Sequence, residues 1–316
     1  MSKFIQLAVQ DQAAIRDELV KGLDAPVAAI PPKYFYDALG SRLFEAICEL
    51  PEYYPTRTEA AILARHAAEI ADLAGPGTVL LDLGAGNCEK AASLFVPLAP
   101  SMYVPLDISV QFLKRAVQRL ALLHPDLPML GVGIDFSRTL ELPADVPARR
   151  RLFFYPGSSI GNFTPDEALA FLTRVRQAAG DDGQLLIGVD LHKDSRLLEA
   201  AYDDALGVTA AFNLNMLHHV NALLQADFKP RDWRHRALFN EEASRVEMHL
   251  QARDNLVVRW DGGMRRFERG ESIHTESSYK YRPQAFQALL AGAGFGSIRS
   301  WTDRQGWFMV CHAHAT

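Results

Sequence analysis

The stretch that most constrains this chain is Thr78–Lys90, TVLLDLGAGNCEK. Thr78 to Asp82 is short and mostly apolar, as expected of a strand buried on both faces of a parallel sheet. It runs into Gly84-Ala85-Gly86, a turn tight enough to need glycine, and then into the helical pattern EKAASLF. Strand, glycine turn and helix form the entry to a nucleotide site, because missing side chains let a ligand approach the backbone. A dinucleotide fingerprint wants a third glycine three residues after the second, for helix packing and room for the pyrophosphate. Glu89 stands there instead. A nicotinamide-dependent Rossmann dehydrogenase therefore loses its best support but stays open, as does an ordinary buried strand ending in a loop.

A G-x-G turn without the third glycine resembles the S-adenosylmethionine loop of Rossmann-like methyltransferases. The segments C-terminal to this turn fit a doubly wound α/β sheet. MYVPLDIS is a second strand ending in Asp107, 21 residues beyond Gly86, the spacing of an acid that accepts from ribose hydroxyls. A solvated turn carboxylate is the plainer alternative. Ser109 is expected to cap VQFLKRAVQRLALL. MLGVGID is a third strand, placing Asp135 where an adenine would lie. The fourth, RLFFYPGSSIGNF, is followed by Thr164-Pro165-Asp166-Glu167, an N-cap, proline and capping-box signature. Gly157, Ser158, Gly161 and Asn162 thus fall on the carboxyl edge beside a helix N-terminus, a place suited to a substrate carboxylate. QLLIGVDLHKD is a fifth strand, and SIRSWTDRQGWFMVCHA is expected to add an antiparallel edge.

Elsewhere the pattern changes. AAIRDELVKGL is an amphipathic helix; the segment after it is rich in aromatics, with Tyr34, Phe35, Tyr36, Tyr53 and Tyr54 around the short helix SRLFEAICEL. Buried tyrosine hydroxyls need partners and can orient a ligand. Thr56-Arg57-Thr58-Glu59 reads as a capping box opening a helix. Residues 195–228 are largely helical, with a break at Gly207, and residues 229–280 are β-rich. The expected division is a Rossmann-like domain from 1–56, 76–194 and 282–316, and a substrate-side α+β domain from 57–75 and 195–281.

With 316 residues, 48% hydrophobic and 22% charged, the composition is that of a globular protein with ample core. A net charge of −5 without a dense basic run disfavours a nucleic-acid partner. Three scattered cysteines read as reduced thiols, and no apolar run approaches the roughly 18 residues of a membrane span, so a cytoplasmic monomer is expected. No metal site is expected: His218 and His219 are adjacent, and neither H-E-x-x-H nor a Cys/His array occurs. The PGSSIG loop lacks the G-x-S-x-G elbow of a hydrolase.

Taken together, YFYDALGSRLFEAICELPEYYPTRTE, LDLGAGNCEK, FFYPGSSIGNFTPDEA, AAYDDALGVTAAFNLN and TESSYKY resemble the L-histidine Nα-methyltransferases of ergothioneine biosynthesis. These blocks run from Tyr34 to Tyr281, across most of the chain. The resemblance implies a class I methyltransferase sheet with S-adenosylmethionine held by Gly84, Gly86, Lys90, Asp107 and Asp135, with Tyr53 nearby. It implies L-histidine in a cleft between the domains, its carboxylate on Asn162 and Tyr202 and its amine near Gly157, Asn162 and Tyr36. Tyr36 and Asn162 would serve catalysis. Glu276 and Ser278 would read the imidazole, with Met248 lining the same place. Relatives of that family methylate other amino acids, including tryptophan, and Glu276 together with Ser278 points to histidine.

Overall fold

The computed structural model describes residues 2–7 and 11–316. The chain begins with β1 (Ser2–Gln6), α1 (Gln12–Asp24), α2 (Ala38–Cys48) and α3 (Tyr54–Ala74). It then alternates through β2 (Val79–Leu83), α4 (Glu89–Ala92), α5 (Phe95–Leu98), β3 (Met102–Asp107), α6 (Val110–Leu123) and β4 (Met129–Gly133). Next come β5 (Arg151–Tyr155), α7 (Pro165–Ala179), β6 (Gln184–Asp190), α8 (Ser195–Tyr202) and α9 (Val208–Leu224). Five strands come after these: β7 (Trp233–Asn240), β8 (Arg245–Ala252), β9 (Leu256–Trp260), β10 (Gly263–Phe267) and β11 (Ser272–Tyr279). The chain ends with α10 (Pro283–Gly292), β12 (Phe295–Thr302) and β13 (Phe308–Ala315).

These elements form two compact units. One comprises Met1–Val9, Pro55–His192 and Lys280–Thr316; the other comprises Gln10–Tyr54 and Lys193–Tyr279. The first is built on a sheet of order β1-β4-β3-β2-β5-β6-β13-β12. Strands β1 to β6 are parallel, and β13 and β12 close one edge in antiparallel register. The central strands are buried along their whole length, which is why they read as continuous apolar runs. Helices α7 and α10 cover one face through Phe171, Leu172, Val175, Phe286 and Leu290. On the other, α3 and α6 contribute Ile62, Leu63, Ile70, Leu113, Val117 and Leu120. Strand order reverses at β2, which lies between β3 and β5, and such a switch point opens a crevice at the carboxyl ends.

The second unit packs helices on a three-stranded antiparallel sheet, β11-β8-β7, with β9 and β10 as a separate hairpin. Its core includes Leu19 and Leu23 of α1 and Phe35, whose ring stacks on Phe212 of α9 at 4.5 Å between centroids. Asn215 of α9 donates to Asp37 (2.9 Å), and His219 Nδ1 lies 2.8 Å from the Tyr34 carbonyl.

This division departs from the one expected. Residues 57–75 belong with the large sheet because the apolar side of α3 packs on it; residues 10–54 belong with α9, which holds Tyr34, Phe35 and Asp37. The capping box expected at Thr56–Glu59 does not start the helix, which begins earlier, at Tyr54. Ser109 stands at the N-cap of α6, yet its side chain makes no capping bond. The expected helix EKAASLF is broken into α4 and α5, with Ser93 and Leu94 between them. At Thr164 the box forms in full.

Among the described residues, no helix is long and apolar enough to cross a membrane, and no group of three His, Cys, Asp or Glu side chains is placed to hold a metal ion. The three cysteines are free, and burial pushes the Cys311 thiol up to about 12.

His312 on β13 is completely buried, and its Nε2 lies 2.7 Å from Gln184 Oε1. The Gln184 amide donates to the Ala74 carbonyl, so its oxygen is the acceptor and the imidazole donates from Nε2. Burial, helped by His314, pulls the His312 pKa down to about 4. An unfolded histidine takes up its proton near pH 6.5, so below that pH the unfolded chain binds more protons than the folded one. Stability should fall as pH drops from about 6.5 towards 4, by at most about 1.4 kcal/mol per pH unit from this group. Denaturant melts at pH 7 and pH 5 should show a smaller pH-dependent loss in His312→Gln than in the wild type; equal losses would refute this role.

Candidate active site

At the end of β2 the backbone turns through Gly84 and Gly86, both with positive φ (71° and 53°). The turn hooks onto β3: the Gly84 and Ala85 amides donate to the Leu106 carbonyl at 2.9 and 3.2 Å. Asp107 completes the connection, because its Oδ2 accepts from the Gly86 amide (2.9 Å) and its Oδ1 from the Ser109 amide (2.7 Å). Burial raises the Asp107 pKa, and the Ser109 and Gly86 amides partly offset it. Asp135, two residues past β4, accepts from the Ser137 amide (3.2 Å) and hydroxyl (2.5 Å). Gly84, Gly86, Asp107 and Asp135 are therefore brought to the carboxyl ends of three adjacent strands.

The loop after β5 lies on the same edge. Gly157 (φ 78°) and Ser158 (φ 62°) are both left-handed, and a short 3₁₀ turn, Ser159–Asn162, comes next. A serine in that conformation is uncommon, and such strain concentrates at functional loops. Ser158 is held in it by tertiary contact: its hydroxyl oxygen accepts the Asp190 amide at 2.9 Å. Asp190 in turn pairs with Lys280 at 2.9 Å, both side chains being essentially inaccessible. Asn162, at the end of the turn, is half-buried.

Two carboxylates at this edge were not among the expected site residues. Glu59 of α3 accepts the Gly157 amide on both oxygens (2.9 and 3.1 Å) and pairs with Lys90 at 2.7 Å. Asp82, on β2, accepts the Tyr103 hydroxyl at Oδ2 (2.7 Å), while its Oδ1 is buried without a partner. Burial, opposed by the Tyr103 hydroxyl, pushes Asp82 up to about 7. A charged residue inside an otherwise apolar strand was the available signal for Asp82.

The remaining expected residues gather in the other unit. Tyr36 meets Phe44 and Phe212 edge-on, Phe44 meets Tyr53, and Tyr53 meets Tyr202 (centroids 5.7, 5.8, 6.2 and 6.2 Å). Burial drives the Tyr53 pKa well above its ordinary value, and the nearby Tyr202, Cys48, Tyr36 and Glu276 add to it, so this phenol stays protonated. The Tyr202 and Ser278 hydroxyls share a hydrogen bond of 2.8 Å, a link not foreseen from sequence. Glu276 pairs across the sheet with Met248, and Ser278 with Val246. A bulge between His274 and Glu276 sets this arrangement. Without it, His274, Glu276 and Ser278 would share a face; with it, His274 lies beside Ser277 (3.0 Å), and Glu276 and Ser278 face together with Met248.

A family described as "Histidine-specific methyltransferase, SAM-dependent" matches residues 15–315. The chain belongs to that family. It is 40% identical over 303 residues to the histidine N-alpha-methyltransferase of Mycobacterium tuberculosis, covering 93% of each chain. It is 41% identical over 301 residues to the enzyme of the same name from Mycolicibacterium smegmatis, again covering 93% of each. A Neurospora crassa ergothioneine biosynthesis protein matches at 31% over 283 residues, 86% of this chain and 32% of that longer protein. In fold it is similar to the CcbJ methyltransferase of Streptomyces caelestis, with a TM-score of 0.50 and 15% identity over 80% of this chain and 95% of that one. The protein is thus a SAM-dependent methyltransferase on a class I sheet.

In this methyltransferase a side chain at Gly157 would be strained. A Cβ there would lie 3.2 Å from Lys90 Nζ, on a residue whose φ is +78°. Gly157→Ala should cost about 1–3 kcal/mol from backbone strain and, with Lys90 holding the cofactor as the resemblance implies, weaken S-adenosylhomocysteine binding by displacing it. Thermal melts and calorimetric titration check both; wild-type values in each would contradict the assignment.

Proposed function

We propose that this enzyme methylates the α-amine of L-histidine with S-adenosylmethionine, up to the trimethylated betaine hercynine, as the first step of ergothioneine biosynthesis. The observation that carries the reading is the bulge-set face of β11, where Glu276 and Ser278 stand together opposite Met248 in a member of a histidine-specific family.

A neutral imidazole offers one N–H donor and one acceptor nitrogen. Glu276 takes the N–H, and Ser278 donates to the other nitrogen, its hydroxyl proton and that of Tyr202 turning from their mutual bond to the substrate. A side chain that offers the buried carboxylate no donor is penalised, and sites of this kind discriminate by roughly 10⁴-fold or more. Asn162 and Tyr202 hold the substrate carboxylate; Gly157, Asn162 and Tyr36 position the amine.

Gly84, Gly86, Lys90, Asp107 and Asp135 hold the cofactor, with Tyr53 beside them in role. The orphan Oδ1 of Asp82 supports this: a buried acceptor lacking a donor suits a cationic nucleoside ligand. S-adenosylmethionine supplies an electrophilic methyl group on a sulfonium sulfur, which the amine accepts once its ammonium form has lost a proton, with release of S-adenosylhomocysteine. The chain's own contribution is alignment of the amine, an effect that reaches about 7–11 kcal/mol in favourable cases. With an ordinary pKa of about 10, a tyrosine such as Tyr36 orients the amine by hydrogen bonding and leaves the proton to water.

Histamine tests the reading, because it keeps the imidazole and amine and lacks the carboxylate. Its kcat/KM should lie about 10–100-fold below that of histidine, the loss expected for hydrogen bonds to a charged group. Asn162→Ala should lower kcat/KM more for histidine than for histamine, because both lose the contact to the amine and only histidine also loses one to its carboxylate. Equal turnover of histamine and histidine by the wild type would contradict the carboxylate anchor.

A further inference from the structure

Glu59 is 1% exposed, in a sheet unit whose loops carry the proposed cofactor and acceptor residues. Its two oxygens accept the Gly157 amide, and Oε2 also holds Lys90. The carboxylate packs against β6: a Cβ built on Gly188 would lie 2.0 Å from Oε1, so only glycine admits it there. One buried group therefore joins the helix after the β2 turn, the loop after β5, and the strand between that loop and the sheet edge.

We propose that Glu59 is a positioning residue, whose carboxylate clamps Lys90 to the Gly157 amide so that the cofactor loop and the acceptor loop keep one geometry. This rests on the proposed roles of those two loops. Methyl transfer depends on near-attack alignment, and a displacement of about 1 Å can cost roughly 100-fold in rate. A carboxylate suits the task because it only accepts; every atom that faces Glu59 in these contacts is a donor. A glutamine would turn its NH₂ against either the Gly157 amide or the Lys90 ammonium, and would leave Lys90 without its counter-charge.

The test compares Glu59→Gln and Glu59→Asp with the wild type in three readouts. These are the Kd for S-adenosylhomocysteine by calorimetry, kcat/KM for histidine, and exchange of the Gly157 amide in ligand-free protein by NMR. Glu59→Gln should weaken S-adenosylhomocysteine about 10-fold, lower kcat/KM about 100-fold and speed Gly157 exchange, while its Tm stays within a few degrees. Glu59→Asp, which keeps the charge but is one methylene shorter, should recover part of each loss. Wild-type Kd, kcat/KM and exchange in Glu59→Gln would overturn the proposal, as would a lowered Tm with unchanged ligand constants. Should Glu59→Gln fail to fold, Glu59→Asp decides alone: unchanged Kd and Gly157 exchange overturn the proposal, and intermediate values support it. Binding and exchange are read without histidine, so a wild type that does not methylate histidine would refute the substrate assignment and leave this one to be judged separately.

Discussion

A carboxylate held away from water must be met by charge and by donors, and the sheet unit contains two that organise its functional edge. Glu59 is met by Lys90 and the Gly157 amide, and Asp190 by Lys280. Breaking a fully buried pair such as Asp190–Lys280 by removing one partner typically costs about 3–5 kcal/mol, because it strands the other charge, whereas Lys90 keeps part of its side chain in water. The loop after β5 is caught between these two pairs: Gly157 donates to Glu59, and Ser158 accepts from the backbone of Asp190. Two consecutive left-handed residues, one of them not glycine, are tolerable only under such restraint. The position of Asn162, five residues beyond Gly157, depends on that anchoring.

In the second unit the side chains of the proposed specificity face are set by strand register. Side chains on a strand alternate, so which residues of TESSYKY face Met248 is decided by a single inserted residue. Thr275 is that residue; it is fully buried, and its hydroxyl donates to the Met248 carbonyl at 3.0 Å. The bulge brings Glu276 and Ser278 to one face, and the Tyr202 hydroxyl then reaches Ser278 from α8. The residues proposed as imidazole reader and carboxylate anchor are thereby joined through one hydrogen bond.

What could be read from the sequence was mostly what is local. The glycine turn after β2 and the Thr164 capping box each depend on neighbours in sequence, and each has the expected geometry, while Asp107 ends β3 and accepts the Gly86 amide. The Thr56–Glu59 pattern looked the same as the one at Thr164, yet Glu59 is drawn into the sheet edge by Lys90 and Gly157. The grouping of residues 10–54 with α9 rests on contacts such as Phe35 with Phe212, which no local pattern encodes. The edge strand β1 and the bulge at Thr275 were invisible for the same reason: both are settled by a partner strand. The roles of Glu276, Ser278, Tyr202 and Asn162 came from resemblance, since taken alone these residues read as a polar strand edge and ordinary loop.

The most direct test of the account is mass spectrometry of the purified protein incubated with S-adenosylmethionine and an equimolar mixture of the twenty amino acids. Histidine carrying one, two and three methyl groups, with the other nineteen unchanged, is the predicted result. Methylated tryptophan, or any other methylated amino acid in place of histidine, would contradict the assignment of Glu276 and Ser278 as readers of the imidazole.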